Sequence, residues 1–243
     1  MLKKEFTREA ALRAAGLVLC LVAGASLLFE RGSAGNAPAA SSGIVNENGP
    51  LIALTFDDGP YAKVTSHILD VLEENGVPAT FFVLGSRIQG REDALLRMEE
   101  LGCEIGNHGF THADLTTLSQ SQCKQEIEDA NEELERVLGH GADVVRPPYG
   151  RYNDTVRKAV PYPLVLWTLD ANDWHSRNPS ELAKHVVGKA QEGSVILLHD
   201  LQSSTASATD TMIPALIKAG FRFVTISELI EKTGGDCAGI IMP

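Results

Sequence analysis

The chain lacks the features that would place it quickly. It has four cysteines in 243 residues, and no two stand in a C-x-x-C spacing. A zinc knuckle and a thioredoxin-like redox motif are therefore excluded. Cys20 lies in the N-terminal segment, so Cys103, Cys123 and Cys237 remain for the body, an odd number that cannot all pair. Cys103 and Cys123 read as small buried residues, and Cys237, in a glycine-rich tail, as a loose thiol. There is no excess of positive charge. The formal net charge is −11, and the first 40 residues are net basic, which leaves 16 basic against 29 acidic side chains for the rest. Nucleic acid is disfavoured as a partner, because its binding rests on basic surfaces. No G-x-G-x-x-G follows the first predicted strand, so a dinucleotide fold has no support. No internal repeat is evident. With 44% hydrophobic and 22% charged residues, the composition is that of an ordinary globular protein.

The N-terminus carries an address. Lys3, Lys4, Arg8 and Arg13 precede an uncharged run from Ala14 to Phe29. This run is short for a membrane span and slightly long for a signal-peptide core. Residues 1–31 are expected to be a signal peptide or an N-terminal membrane anchor. In either case the basic flank sends the body across a membrane, to an extracytoplasmic place. Leu17, Val18 and Leu19 argue against a lipid anchor at Cys20. Residues 32–50, rich in Gly, Ala, Ser and Asn, read as a flexible linker. A domain is expected over 51–232, followed by a C-terminal tail, 233–243.

Within that domain short apolar runs alternate with amphipathic stretches. Strands are expected at Leu51–Phe56, Ala79–Leu84, Cys103–Gly106, Val144–Arg146, Leu164–Leu169, Ser194–Leu198 and Phe221–Thr225. Helices are expected at Thr65–Glu74, Asp93–Leu101, Ser119–Leu138, Asn153–Val160, Pro179–Gln191, Thr209–Ala219 and Ile226–Lys232, with Ser119 and Asn178 as N-caps and Gly76 and Gly139 as stops. Seven strands alternating with helices predict an α/β fold with a parallel sheet, closed or nearly closed into a barrel.

Ionisable residues gather at the C-terminal ends of these strands. Asp57 and Asp58 follow the first, His108 and His112 the third; Arg146 ends the fourth, Asp170 and Asp173 follow the fifth, and His199 ends the sixth. In β/α barrels that face carries the chemistry. The four-residue spacing of His108 and His112 suits a metal ion that needs neutral nitrogen ligands, although an isolated H-x-x-x-H equally suits a hydrogen-bonded pair. Asp57 and Asp58 point to opposite sides of a strand and can do different work, yet Asp-Asp-Gly-Pro is also good turn chemistry. Arg146 can hold a carboxylate, Tyr149 offers a backbone N–H, and Gly150 allows close approach. A carboxylate at Asp173 would make His199 a general acid near neutral pH, and Trp174 can wall a pocket. His67, His140, His175 and His185 lack such placement.

Five segments, T-F-D-D-G-P (55–60), H-G-F-T-H (108–112), R-P-P-Y-G (146–150), D-A-N-D-W (170–174) and L-L-H (197–199), occur in the order found in the polysaccharide deacetylases of carbohydrate esterase family 4. The chain resembles that family, the NodB-homology domain, over about Leu51 to Glu231. The resemblance implies a distorted (β/α)7 barrel. It implies that Asp58, His108 and His112 bind a divalent metal, most often zinc, with cobalt, nickel or iron as alternatives. Asp57 is then the general base, held by Arg146, and His199 the general acid, tuned by Asp173. Trp174 and Leu197 line the acetyl pocket, and the Tyr149 N–H helps hold the oxyanion. The expected reaction is hydrolysis of N-acetyl groups on a cell-envelope polysaccharide, peptidoglycan amino sugars leading, by a monomer that touches membrane only through its N-terminal segment. An O-acetyl esterase on xylan, a chitin-oligomer deacetylase and an inactive glycan-binding domain are the alternatives.

Overall fold

The computed structural model describes residues 48–235 and 237–243. The expectation for 1–31 lies outside the described residues, as does all but the last three residues of 32–50. Among the described residues no helix is long and apolar enough to cross a membrane.

Among the described residues, eight strands and seven α-helices follow one another. They run β1 (Leu51–Asp57), α1 (Ala62–Asn75), β2 (Thr80–Val83), α2 (Glu92–Glu100), β3 (Glu104–Asn107), α3 (Gln120–Leu138), α4 (Asp154–Ala159), β4 (Leu164–Val165), β5 (Leu169–Asp170), α5 (Pro179–Lys189), β6 (Ser194–His199), α6 (Ser203–Lys218), β7 (Arg222–Phe223), α7 (Ile226–Thr233) and β8 (Ile240–Ile241). The main sheet is parallel, in the order β3-β2-β1-β6-β5. Val145 extends it by bridging to Asn107 on one side and Leu164 on the other. β7 pairs with the start of β1, at Leu51 and Ile52, whereas β2 pairs only from Thr55 onward. The result is the expected parallel α/β barrel, distorted.

Alternation along β1 separates the two cores. Ile52, Leu54 and Phe56 face outward and pack with Ile68, Leu72, Ile196 and Leu198 beneath α1 and α6. Ala53 faces inward with Phe82, Val144, Val165 and Val195. The same two-residue period carries Thr55 and Asp57 onto the inner face, so the strand that builds the core also delivers a carboxylate to its mouth.

The caps behave as expected. The Ser119 side chain accepts from Gln122 N in a capping box, Asn178 accepts from Ser180 N and Glu181 N, and Gly76 and Gly139 end their helices in the left-handed region.

Several expectations change: the helix expected at Thr209–Ala219 already starts at Ser203, and the strand expected at Phe221–Thr225 is only Arg222–Phe223. The strand at Val144–Arg146 is a single bridge residue. The strand at Leu164–Leu169 is broken in two, because its halves have different neighbours: Val165 N donates to Val145 O, whereas Thr168 N donates to Val195 O. The tail 233–243 is no simple appendage, since Ile240 and Ile241 return as β8, antiparallel to β4. Cys237 accordingly packs against the inner apolar cluster. Cys103 and Cys123 are buried as expected, and no disulfide forms among the described residues. Burial pushes the Cys103 thiol up to about 11, which makes it inert.

Candidate active site

Strand ends converge at one rim. β1 pairs with β6 so that Asp57 lies directly beside His199. β3 ends at Asn107, and the next residue, His108, keeps its backbone in line by donating to Val83 O. Among the described residues, four non-glycine residues adopt positive φ, namely Asp58, His112, Tyr149 and Asn172. All four lie in the loops of this rim. Such backbone costs of order 1–3 kcal/mol per residue and persists only where the surroundings hold it.

Asp58, His108 and His112 form a three-ligand cluster. Their donor atoms all lie within 4.8 Å of one another, and no other group of three or more His, Cys, Asp or Glu residues does so among the described residues. Asp58 Oδ1 is 3.4 Å from His108 Nε2 and 3.1 Å from His112 Nε2. Such spacings suit ligands about 2.1 Å from a shared ion. His108 Nδ1 lies 2.7 Å from the carbonyl of Arg146. A carbonyl only accepts, so Nδ1 carries the proton and Nε2 presents a lone pair. That lone pair meets Asp58 Oδ1, which is buried and has no hydrogen-bond partner. Two acceptors face one another with no proton between them, an arrangement a divalent cation satisfies. Burial opposes ionisation of Asp58, yet positive charge beside it, which the imidazoles carry only when protonated and which a cation would supply in their place, holds its carboxyl well below the usual range.

Asp57 is held differently. It is 3% exposed and receives the Arg146 Nη1 donor at 2.6 Å. Arg146 has no exposed surface. Its guanidinium also donates to Thr55 Oγ1 at 2.7 Å, Val165 O at 3.1 Å and Leu166 O at 2.9 Å. Its Cζ sits 4.1 Å above the centre of the Phe82 ring. Burial pulls the guanidinium pKa down and Asp57 pulls it back up.

Asp173 orients His199. Its Oδ1 lies 2.8 Å from His199 Nδ1, and its Oδ2 accepts from His199 N at 2.7 Å and from Thr205 Oγ1 at 2.7 Å. Nδ1 therefore carries the proton toward Asp173. Burial opposes the imidazolium, but Asp173, then Asp57 and Asp58, lift the His199 pKa to about 9.

The remaining expected residues lie at the same rim. The Tyr149 hydroxyl is 3.2 Å from His112 Nδ1, and its ring meets that imidazole edge-on at 4.6 Å. Leu197 is buried on β6, beside Asp170. Trp174 is 58% exposed, its ring edge-on to His175. Three polar residues escaped sequence reasoning. Thr55 was legible in principle, two residues before Asp57 on the same strand face. Thr205 lies in the first turn of α6 and carries no local signal. Asp200, next to His199, is buried under the 58–60 turn. It accepts from Thr65 Oγ1 at 2.5 Å, and burial raises its pKa to about 7.

Comparisons with known proteins find relatives over most of the chain. Residues 45–162 match the model of the polysaccharide deacetylase family. The chain is 41% identical to the peptidoglycan-N-acetylmuramic acid deacetylase PdaC of Bacillus subtilis, over 77% of this chain and 40% of that protein. It is 36% identical to a peptidoglycan-N-acetylglucosamine deacetylase of Bacillus cereus, over 77% of this chain and 91% of that one. The structure of a family 4 acetyl xylan esterase from Clostridium thermocellum, in complex with a cobalt ion, superimposes with a TM-score of 0.72 at 36% identity, over 76% of this chain and 92% of that one. The chain spans about two-fifths of the length of PdaC.

Proposed function

Because this chain belongs to the polysaccharide deacetylase family, we propose that it is a metal-dependent hydrolase that removes N-acetyl groups from the amino sugars of peptidoglycan, on the outer side of the cell membrane. The observation that carries this reading is the convergence of Asp58, His108 and His112 beside a base and an acid that neighbouring strands hold in register.

Asp58, His108 and His112 hold the cation, with zinc the first choice. When bound, it supplies Lewis acidity, lowering the pKa of a water to about 7 and drawing charge from a carbonyl. Asp57 takes the proton of the attacking water. Arg146 fixes the carboxylate that does so, and the salt bridge leaves the second oxygen, Oδ2, facing His108 Nε2 at 3.8 Å. The Tyr149 backbone N–H helps hold the oxyanion. His199 Nε2 then protonates the leaving nitrogen, without which the tetrahedral adduct would expel water again. Asp173 accepts a hydrogen bond from Nδ1 and favours the imidazolium, so that Nε2 carries the second proton, the one given to the leaving nitrogen. Leu197 and Trp174 bound the acetyl group.

Acetate released from acetylated muropeptides is the test. Release abolished by Asp57→Asn and by chelation supports the reading, and release that survives both overturns it. A second reading, an O-acetyl esterase on xylan, draws support from the likeness to the Clostridium thermocellum esterase. Assays on acetylxylan and on N-acetylglucosamine oligomers, run side by side, separate ester from amide preference.

A further inference from the structure

The two imidazoles of the ligand cluster sit at the ends of one loop, His108-Gly-Phe-Thr-His112. What holds that loop is not in it. Gly109 N donates to Asn107 Oδ1 at 2.7 Å. The next two N–H groups, of Phe110 and Thr111, both donate to Glu126 Oε2, at 3.1 and 2.9 Å. The Thr111 hydroxyl donates to Glu126 Oε1 at 2.8 Å. Glu126 stands in the second turn of α3, outside the loop, and its carboxylate is the acceptor for three donors of the three-residue span between the ligands. On the other side of the loop, Gly109 O and Phe110 O accept from Gly85 N and Ser86 N.

The loop needs this support. Gly109 and His112 both lie at positive φ, 82° and 68°. For His112 that conformation is unfavourable and must be imposed. Successive backbone N–H groups turned to one side form a cradle for an anion, and here the anion is a side chain of the protein itself. Removing it would leave two amides and a hydroxyl unpaired, and would free the backbone that fixes the separation of the two imidazoles.

We propose that Glu126 is a positioning residue for the metal site: by clamping Phe110 and Thr111 it holds His108 and His112 in the mutual geometry that binds the cation. This rests on the reading of Asp58, His108 and His112 as the metal ligands. Partners that orient metal ligands typically contribute about 10–100-fold to metal affinity.

The experiment is calorimetric titration of zinc ion into chelator-stripped full-length protein, with thermal unfolding of each metal-free variant alongside. Glu126→Met keeps the bulk and removes both acceptors. It is expected to weaken zinc binding about 10–100-fold, while Glu126→Gln, whose amide oxygen still accepts from the Phe110 and Thr111 N–H groups and whose NH2 can donate to the Thr111 hydroxyl, stays close to the parent. A purely structural role would lower the unfolding midpoint and leave the affinity of the folded protein unchanged. That result, or equal loss in the Gln and Met variants, overturns the inference. If Glu126→Met does not fold, Glu126→Asp, one methylene too short to reach, decides the matter by the same loss. His112→Ala is the control for the site. A parent that binds no zinc, or a His112→Ala variant that binds like the parent, rejects the metal reading itself. Zinc binding lost in His112→Ala and kept in Glu126→Met rejects only the role of Glu126.

Discussion

Arg146→Met tests the energetic heart of the site. The substitution keeps an unbranched apolar stem and removes the guanidinium. It strands Asp57, 3% exposed, without its charge partner, and leaves Thr55 Oγ1 and the carbonyls of Val165 and Leu166 short of a donor. Breaking a buried ion pair from one side costs about 3–5 kcal/mol. Each buried group left unpaired costs a further 1–3 kcal/mol or so unless water enters. These penalties overlap, so the expected loss is at least about 3 kcal/mol, a large part of a typical domain stability of about 5–15 kcal/mol. In urea, with a slope of about 2–3 kcal/mol per molar, the midpoint should fall by about 1 M or more. The decisive comparison is the double variant. In an Asp57→Asn background the charge to be stranded is gone, so Arg146→Met should cost about 2 kcal/mol less than in the parent. Equal costs in the two backgrounds, or a loss below about 1 kcal/mol in the parent, would show that the ion pair is not what Arg146 contributes.

Three further outcomes are expected. His199 has a raised pKa, so its ion pair with Asp173 contributes stability that is full below about 6.5 and fades as pH rises through about 9; the stability gap between the metal-free parent and Asp173→Asn should narrow over that window, and the alkaline limb of turnover should move to lower pH in the variant. Divalent metal should raise the unfolding temperature with concentration, by an amount equivalent to about 2.7 kcal/mol at a hundredfold excess over Kd, and Asp58→Ala should abolish that dependence; a variant that still responds would place the ion elsewhere. A Cβ at Gly59 would lie 2.1 Å from Asp200 Oδ2, so Gly59→Ala should cost about 1–3 kcal/mol in denaturant melts, and the cost should shrink when Asp200→Ala clears the space.

Much of this was legible because one period does two jobs. The strand read at Leu51–Phe56 carries a two-residue period that turns Asp57 and Asp58 to opposite sides, and the rule that barrel chemistry gathers at strand ends predicts the neighbours. The misreadings have a common cause. Val144–Arg146 and Leu164–Leu169 look like strands, but the sheet between them is completed by a side chain: Arg146 donates to Val165 O and Leu166 O where a neighbouring strand would otherwise do so. No local pattern announces that. Ile240–Ile241 is too short to stand out and pairs only because β4 presents an edge. Thr205 and Glu126 act from helices on groups 32 and 15 or 16 residues away, a relation that spacing along the chain does not encode.

The double duty of Arg146 has a consequence for any mutational reading of the site. Loss of turnover in an Arg146 variant is ambiguous, since the same guanidinium holds Asp57, the proposed base, and closes the barrel wall. Asp57→Asn separates the two. There the Arg146 donors keep Thr55, Val165 and Leu166, and the amide oxygen of the substituted side chain can still accept from Nη1. The base is gone while the closure remains. Turnover should vanish in both variants and each strands a buried charge, but Asp57→Asn keeps every Arg146 hydrogen bond, so its loss of stability should be the smaller. If Asp57→Asn unfolded as readily as Arg146→Met, the charge of Asp57 and not the backbone bonds of Arg146 would be what closes the wall, and the polar interior of this barrel would be held together by the Asp57–Arg146 ion pair alone.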